Sequence, residues 1–154
     1  MKPIKRQCVD RPSDYLKFWR IIRYYYLARY KMTQQDLEML LFLYSEQHFD
    51  KDKFYEFNNL LGWDKGRFNR LLRDGWVEVF RKHYGKRRTL YEISFKGKRM
   101  ITEMYKKLDG QEIPVCVSKN PLFRVKVPYS HKIYRAMILK MNEFIKQQRH
   151  QLHE

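Results

Sequence analysis

At 154 residues the chain has the length of one ordinary domain, and its 44% apolar and 16% aromatic content excludes a disordered polymer because there is ample surface to bury. Thirty-three Lys and Arg against 17 Asp and Glu give a formal charge of +16, which directs attention to nucleic acid or another polyanion. Cys8 and Cys116 lie far apart without CxxC spacing, so neither a disulfide framework nor a zinc site is expected, and a reducing cytoplasm fits. The first residues lack the apolar core of a secretory signal and no apolar run approaches bilayer length, so the expectation is a soluble protein without membrane contact.

The charge is segregated along the chain. Residues 1–32 carry nine basic and two acidic side chains, and residues 33–63 carry two and six. Residues 64–107 carry fourteen and five, and residues 108–154 carry eight and four. The acidic second block is expected to stay away from a phosphate backbone.

A basic arm is followed by Pro12-Ser13-Asp14, capping chemistry for a first helix reaching about Tyr30, with Tyr15, Phe18, Trp19, Ile22, Tyr25 and Tyr26 at helical spacing. Its aromatics either cover the chain's own domain or meet another subunit. Thr33 and Asp36 form an N-terminal cap for a second helix whose Leu37, Leu40, Leu41 and Tyr44 mark a core-facing stripe. A third helix is expected from about Asp50 to Asn58, with Phe54 and Phe57 inward.

After a turn at Gly62-Trp63-Asp64, Lys65 to Arg73 reads as a short fourth helix closed by Gly75. Phe68, Leu71 and Leu72 point one way. Gly66, Asn69, Arg70 and Arg73 project from the other side with Arg67 at the flank, side-chain types that hydrogen-bond guanine and adenine edges or phosphate. Two strand-like runs follow, Trp76 to Phe80 and Thr89 to Ile93. Between them, five of the eight residues from Arg81 to Arg88 are Lys or Arg, set around Gly85. Like charges at that density repel, so the arrangement suits a surface that a polyanion neutralises. Ser94 is expected to cap a further helix with Phe95, Met100, Ile101, Met104 and Leu108 as apolar positions. The order helix, helix, basic helix, basic hairpin, helix describes a mainly α fold with a small β-hairpin wing, a winged helix-turn-helix. In such a fold the short helix enters a major groove while the hairpin tip sits over a phosphate backbone.

Three stretches resemble the MarR-type winged-helix family: "MTQQDLEMLLFLY", "DKGRFNRLLRDGWVEVFRKH" and "RRTLYEISFKGKRMITEMYKKL", together covering roughly residues 32–108. The resemblance implies a double-stranded DNA-binding transcriptional regulator acting as a homodimer through its first and last helices. By that resemblance Lys65, Arg67, Asn69, Arg70 and Arg73 occupy the recognition helix, and Arg81, Lys82, Lys86, Arg87 and Arg88 belong to the wing. Family wings commonly carry an Asp just before an Arg, the acid orienting that cation, whereas here the tip reads His83-Tyr84-Gly85-Lys86-Arg87-Arg88. Without that acid, a phosphate-gripping wing is expected over a sequence-reading one.

Residues 109–128 contain three prolines, too many for a helix, and suggest two extended pieces, Ile113 to Val117 and Leu122 to Val127, the second an edge strand with a largely cationic outer face. Ser130 then caps a last amphipathic helix with Ile133, Met137, Met141, Phe144 and Ile145 as its stripe and Tyr134 and Ile138 beside it. The organisation read from the sequence is therefore a basic arm and first helix (1–31), a winged helix-turn-helix (32–108), and an extended segment with a C-terminal helix (109–154). The first and last helices are the expected dimerisation surface, through Tyr15, Phe18, Trp19, Ile22, Ile133, Met137, Met141 and Phe144. No metal-ligand spacing, phosphate loop or nucleophile motif stands out, so no cofactor, metal or catalysis is expected. A second reading is a structural or assembly component of a viral or nucleoprotein particle that uses the winged helix as a docking or non-specific nucleic-acid-binding module. Location follows the reading, cytoplasmic and nucleoid-associated for the regulator or inside a viral particle for the component.

Overall fold

The computed structural model describes residues 16–60 and 65–153. Tyr15, Cys8, the cap at Ser13-Asp14 and the turn at Gly62-Trp63-Asp64 lie outside the described residues. Helix α1 spans Trp19–Tyr30 and ends at Lys31, whose left-handed backbone (φ 50°) breaks the helix. Helix α2 spans Gln34–Glu46, and the Thr33 hydroxyl accepts a hydrogen bond from the Asp36 amide at 3.2 Å, as the cap reading expects. A two-residue strand β1 (His48–Phe49), unforeseen in the sequence, precedes α3 (Lys51–Leu60). Helix α4 covers Arg67–Arg73, and Gly75 follows at φ +79°, a conformation costly for any residue with a Cβ. Strands β2 (Val77–Arg81) and β3 (Leu90–Ile93) form the hairpin, and α5 (Phe95–Leu108) starts where the Ser94 hydroxyl accepts from the Gly97 amide at 3.2 Å.

The three strands form one antiparallel sheet in the order β1-β3-β2. His48 pairs with Glu92 and Val77 with Ile93, and a register shift between Val79 and Arg81 bulges the outer strand at Phe80. Helices α2 to α4 with this sheet and α5 have the topology of a winged helix, so the mainly α class with a β-hairpin wing holds. The core is continuous across it, with Leu37, Leu40, Leu43, Phe54, Phe68, Leu71, Ile93 and Met100 fully enclosed. Phe68 sits edge-on to both Phe54 and Tyr91 (5.0 and 4.9 Å between ring centroids), which ties α4 to α3 and to the sheet.

Helices α1 and α6 (Tyr129–Leu152) pack against each other within the chain. Tyr24 stacks on Tyr134 at 3.7 Å and Phe18 meets Phe144 edge-on at 5.5 Å. Of the residues expected at a dimer surface, Ile22 and Met141 are enclosed in their own chain's core. Trp19, Met137, Phe18 and Phe144 are half-buried, and Ile133 is exposed.

Four further expectations are revised. Residues 109–128 form no strand; a single 3₁₀ turn (Pro121–Phe123) interrupts irregular backbone. Two buried asparagines supply the hydrogen bonds a strand partner would have given: Asn142 holds both the amide and the carbonyl of Ile113 (2.9 Å each), and Asn120 donates to the Pro114 carbonyl at 2.8 Å. Ser130 does not cap α6, because Pro128 occupies that place and the Ser130 hydroxyl accepts instead from Tyr24 at 3.1 Å. Phe95 stands at the first position of α5, 77% exposed. Tyr44 likewise faces solvent while Met39 and Leu43 fill the core of α2.

Candidate nucleic-acid interface

The hairpin loop is built by a tight reversal. Tyr84 and Arg87 exchange backbone hydrogen bonds in both directions (3.1 and 2.9 Å), leaving Gly85 and Lys86 as a two-residue turn. Gly85 takes φ +56°, the positive value that the first central residue of a type II′ turn needs and that only glycine adopts cheaply. Just below, the His83 amide donates to the Thr89 hydroxyl at 3.1 Å, so the last turns of the ladder are held after regular strand pairing stops.

Every residue from Arg81 to Arg88 is exposed. Among the described residues, Arg81, Lys82, Lys86 and Arg87 make no ion pair; Arg88 pairs with Asp52 of α3 and approaches Asp50 at 3.9 Å. The wing's own sequence has no acid beside Arg88, and the first turn of α3 places one there in space. Strand β1 pairs with β3 and carries Asp50 and Asp52 of the acidic block to the wing's flank.

The short helix behaves differently. Arg67, expected at the flank of the exposed face, is turned inward and only 5% exposed, and its guanidinium pairs with Asp36 of α2, itself 6% exposed. Arg70 reaches the same carboxylate at 3.0 Å with its side chain about one-third accessible. Asp36 therefore holds two arginines and clamps α4 on α2. Two cations beside one buried carboxylate reduce the cost of burying any of the three charges, but they commit Arg67 to the interior. Lys65, Asn69 and Arg73 remain on the outer face, Arg73 with Asp74 at 3.4 Å.

No group of three or more metal-ligating side chains occurs among the described residues. Cys116 is exposed, and the Ser118 hydroxyl, 3.6 Å from its sulfur, lowers the thiol's pKa from its ordinary value. No helix of the described residues is long and apolar enough to cross a membrane.

What the arrangement does chemically is concentrate cations without an ion pair among the described residues on an exposed hairpin, beside a surface where Lys65, Asn69 and Arg73 offer one amide and two cationic side chains. Sequence reasoning missed Asp36, Asp50 and Asp52 as the partners of these cations. Each acid lies some thirty or more residues from the arginine it meets, so no local spacing signals the pairing.

No protein-family model matches the chain, and no curated protein matches it. A solved structure described as disulfide-formed AbfR aligns with 91% of this chain and 88% of its own, at 14% identity and a TM-score of 0.43. That overlap is broad but loose, and the winged-helix assignment stands on element order and strand pairing alone.

Proposed function

We propose that the protein binds double-stranded DNA as a MarR-like winged-helix transcriptional regulator. The observation that carries this reading is the wing, where four cations without an ion pair among the described residues are gathered in and around a two-residue turn. Such charges release counterions from phosphate and supply most of the affinity. Lys65, Asn69 and Arg73 would contact base edges or flanking phosphates, with Arg70 in reach once it leaves Asp36, while Arg67 acts as the internal clamp. Dimerisation, if it follows the family resemblance, falls to the outer side of α1 and α6, where Trp19, Ile133 and Met137 keep accessible surface.

The commitment of Arg67 and Arg70 to Asp36 favours a second reading, in which the wing grips phosphate with little base selection inside a nucleoprotein or viral assembly. Selection of bound sequences from a random duplex pool, run at low and physiological salt with the protein's mass measured in parallel, separates the two. Enrichment of a two-fold symmetric site by a dimer supports the regulator. Salt-labile binding without enrichment supports the second reading, and no duplex binding at low salt overturns both.

A further inference from the structure

A second cationic surface lies away from the wing. A groove of about 380 Å³ runs between the C-terminal end of α1, the irregular segment 117–128 and the first turn of α6, and Arg29, Lys31, Lys119, Arg124, Lys126 and His131 line it together with small and apolar residues but no carboxylate. Arg29 is engaged with the Tyr25 hydroxyl (3.0 Å) and Glu103 (3.8 Å). Lys31, Lys119, Arg124 and Lys126 have no ion pair among the described residues, and all four are exposed. A neighbouring cavity, lined by Lys106, Lys107 and Lys146, differs in kind because Glu103 and Glu112 sit among its cations.

The groove is preformed. Asn120 is fully buried and accepts from the Leu122 amide at 3.0 Å; Leu122 is enclosed, and the Lys119 carbonyl accepts from the Tyr25 hydroxyl at 3.0 Å. Between these anchors and α6, the backbone carries Arg124 and Lys126 outward, with Val125 95% exposed between them. Lys31 adds an independent sign. It adopts the left-handed conformation that ends α1, where glycine would be relaxed, and its side chain is one of the groove's cations.

The groove also stands apart from the hairpin tip. Tyr30, beside Lys31, packs edge-on against Trp76 at the base of the hairpin (5.4 Å), and residues 77–84, which begin with strand β2 (Val77–Arg81), separate Trp76 from Gly85. At ~3.3 Å per residue the tip lies roughly 25–30 Å along the ladder from that base.

We infer that this groove is a second binding site for nucleic-acid phosphate backbone, independent of the wing. Four unpaired cations on a fixed track, with no Phe, Tyr or Trp ring in the lining for base stacking, suit a phosphodiester chain read by charge alone. The site gives the irregular segment its role: it holds three of those cations in place without a sheet partner, and it lets one protein molecule engage two stretches of polynucleotide.

The test is the salt dependence of duplex binding by the full chain, followed by fluorescence anisotropy for the wild type, a groove variant (Lys119→Ala, Arg124→Ala, Lys126→Ala) and a wing variant (Lys82→Ala, Lys86→Ala, Arg87→Ala). The groove variant is expected to keep the wild-type melting temperature and to flatten the log–log salt slope by roughly 2 to 3, at ~0.9 for each phosphate no longer neutralised. Lys31→Gly is expected to raise the melting temperature while flattening the slope by about 0.9. An unchanged slope in the groove variant overturns the inference, and if the wing variant loses affinity in the same experiment, the proposed function survives that failure. A flattened slope in the groove variant beside an unchanged wing variant supports the inference and overturns the wing as the principal contact. Addition of tripolyphosphate identifies a free-anion site: stabilisation of the wild type but not of the groove variant, with duplex slopes equal, also overturns the nucleic-acid assignment.

Discussion

Helix α4 and the wing are both rich in arginine, yet the fold treats their charges in opposite ways. On α4, Arg67 and Arg70 converge on one buried carboxylate and hold two helices together. On the wing, Arg81, Lys82, Lys86 and Arg87 meet no acid among the described residues, and Arg88 alone is restrained from outside the hairpin. The same residue type is therefore an internal fastener in one place and an outward charge in the other. The difference lies in whether the tertiary fold delivers a carboxylate, so composition and helical phase cannot separate the two roles.

The largest expected effect breaks the fastener. Asp36→Ala removes the carboxylate that pairs with buried Arg67 and should cost about 3–5 kcal/mol of unfolding free energy, measured by urea titration. The paired replacement Asp36→Leu with Arg67→Met should restore most of that loss, because exchanging a buried ion pair for apolar side chains of similar volume is often neutral. A single variant within about 1 kcal/mol of the wild type would show that the pairing with Asp36 contributes little to holding α4 in place.

On the other side of the comparison, Lys86→Ala with Arg87→Ala should leave stability within about 0.5 kcal/mol, since neither side chain has an internal ion-pair partner to lose. The log–log salt slope of duplex binding should instead fall by about 1.8, at ~0.9 per phosphate neutralised. Loss of stability without change in slope would reverse the roles assigned to the two regions.

The winged helix is legible in the sequence because its signals are local. Thr33 and Ser94 cap the helices they precede, Gly75 and Gly85 take the positive φ their turns need, and two strand-like runs, Trp76–Phe80 and Thr89–Ile93, joined by a glycine-containing loop mark the hairpin. Strand β1 is invisible there because two residues carry no period; its pairing with β3 is a tertiary event. Residues 109–128 read as extended because alternating apolar and basic side chains imitate a strand, whereas Asn120 and Asn142 satisfy that backbone from the side. The interface is half legible for the same reason. Exposed wing cations follow from a run of charge around a glycine, but the inward turn of Arg67 depends on Asp36, thirty-one residues away.

Asp52 gives the sharpest and smallest test of the comparison, because it makes Arg88 an intermediate case. Its carboxylate is exposed and pairs with an exposed guanidinium, so the ion pair itself contributes at most ~1 kcal/mol to stability. Asp52→Asn should therefore shift the unfolding midpoint little. Its effect on binding should have the opposite sign from the wing substitutions. Removing the acid leaves Arg88 only its longer approach to Asp50 and takes a negative charge from beside the phosphate path, so duplex affinity should rise several-fold at low salt and the gain should shrink as salt increases. If affinity falls instead, Asp52 orients Arg88 toward the duplex as a family-type acid within the wing would. Arg88 would then belong with Arg67, as a cation whose function depends on the carboxylate that holds it.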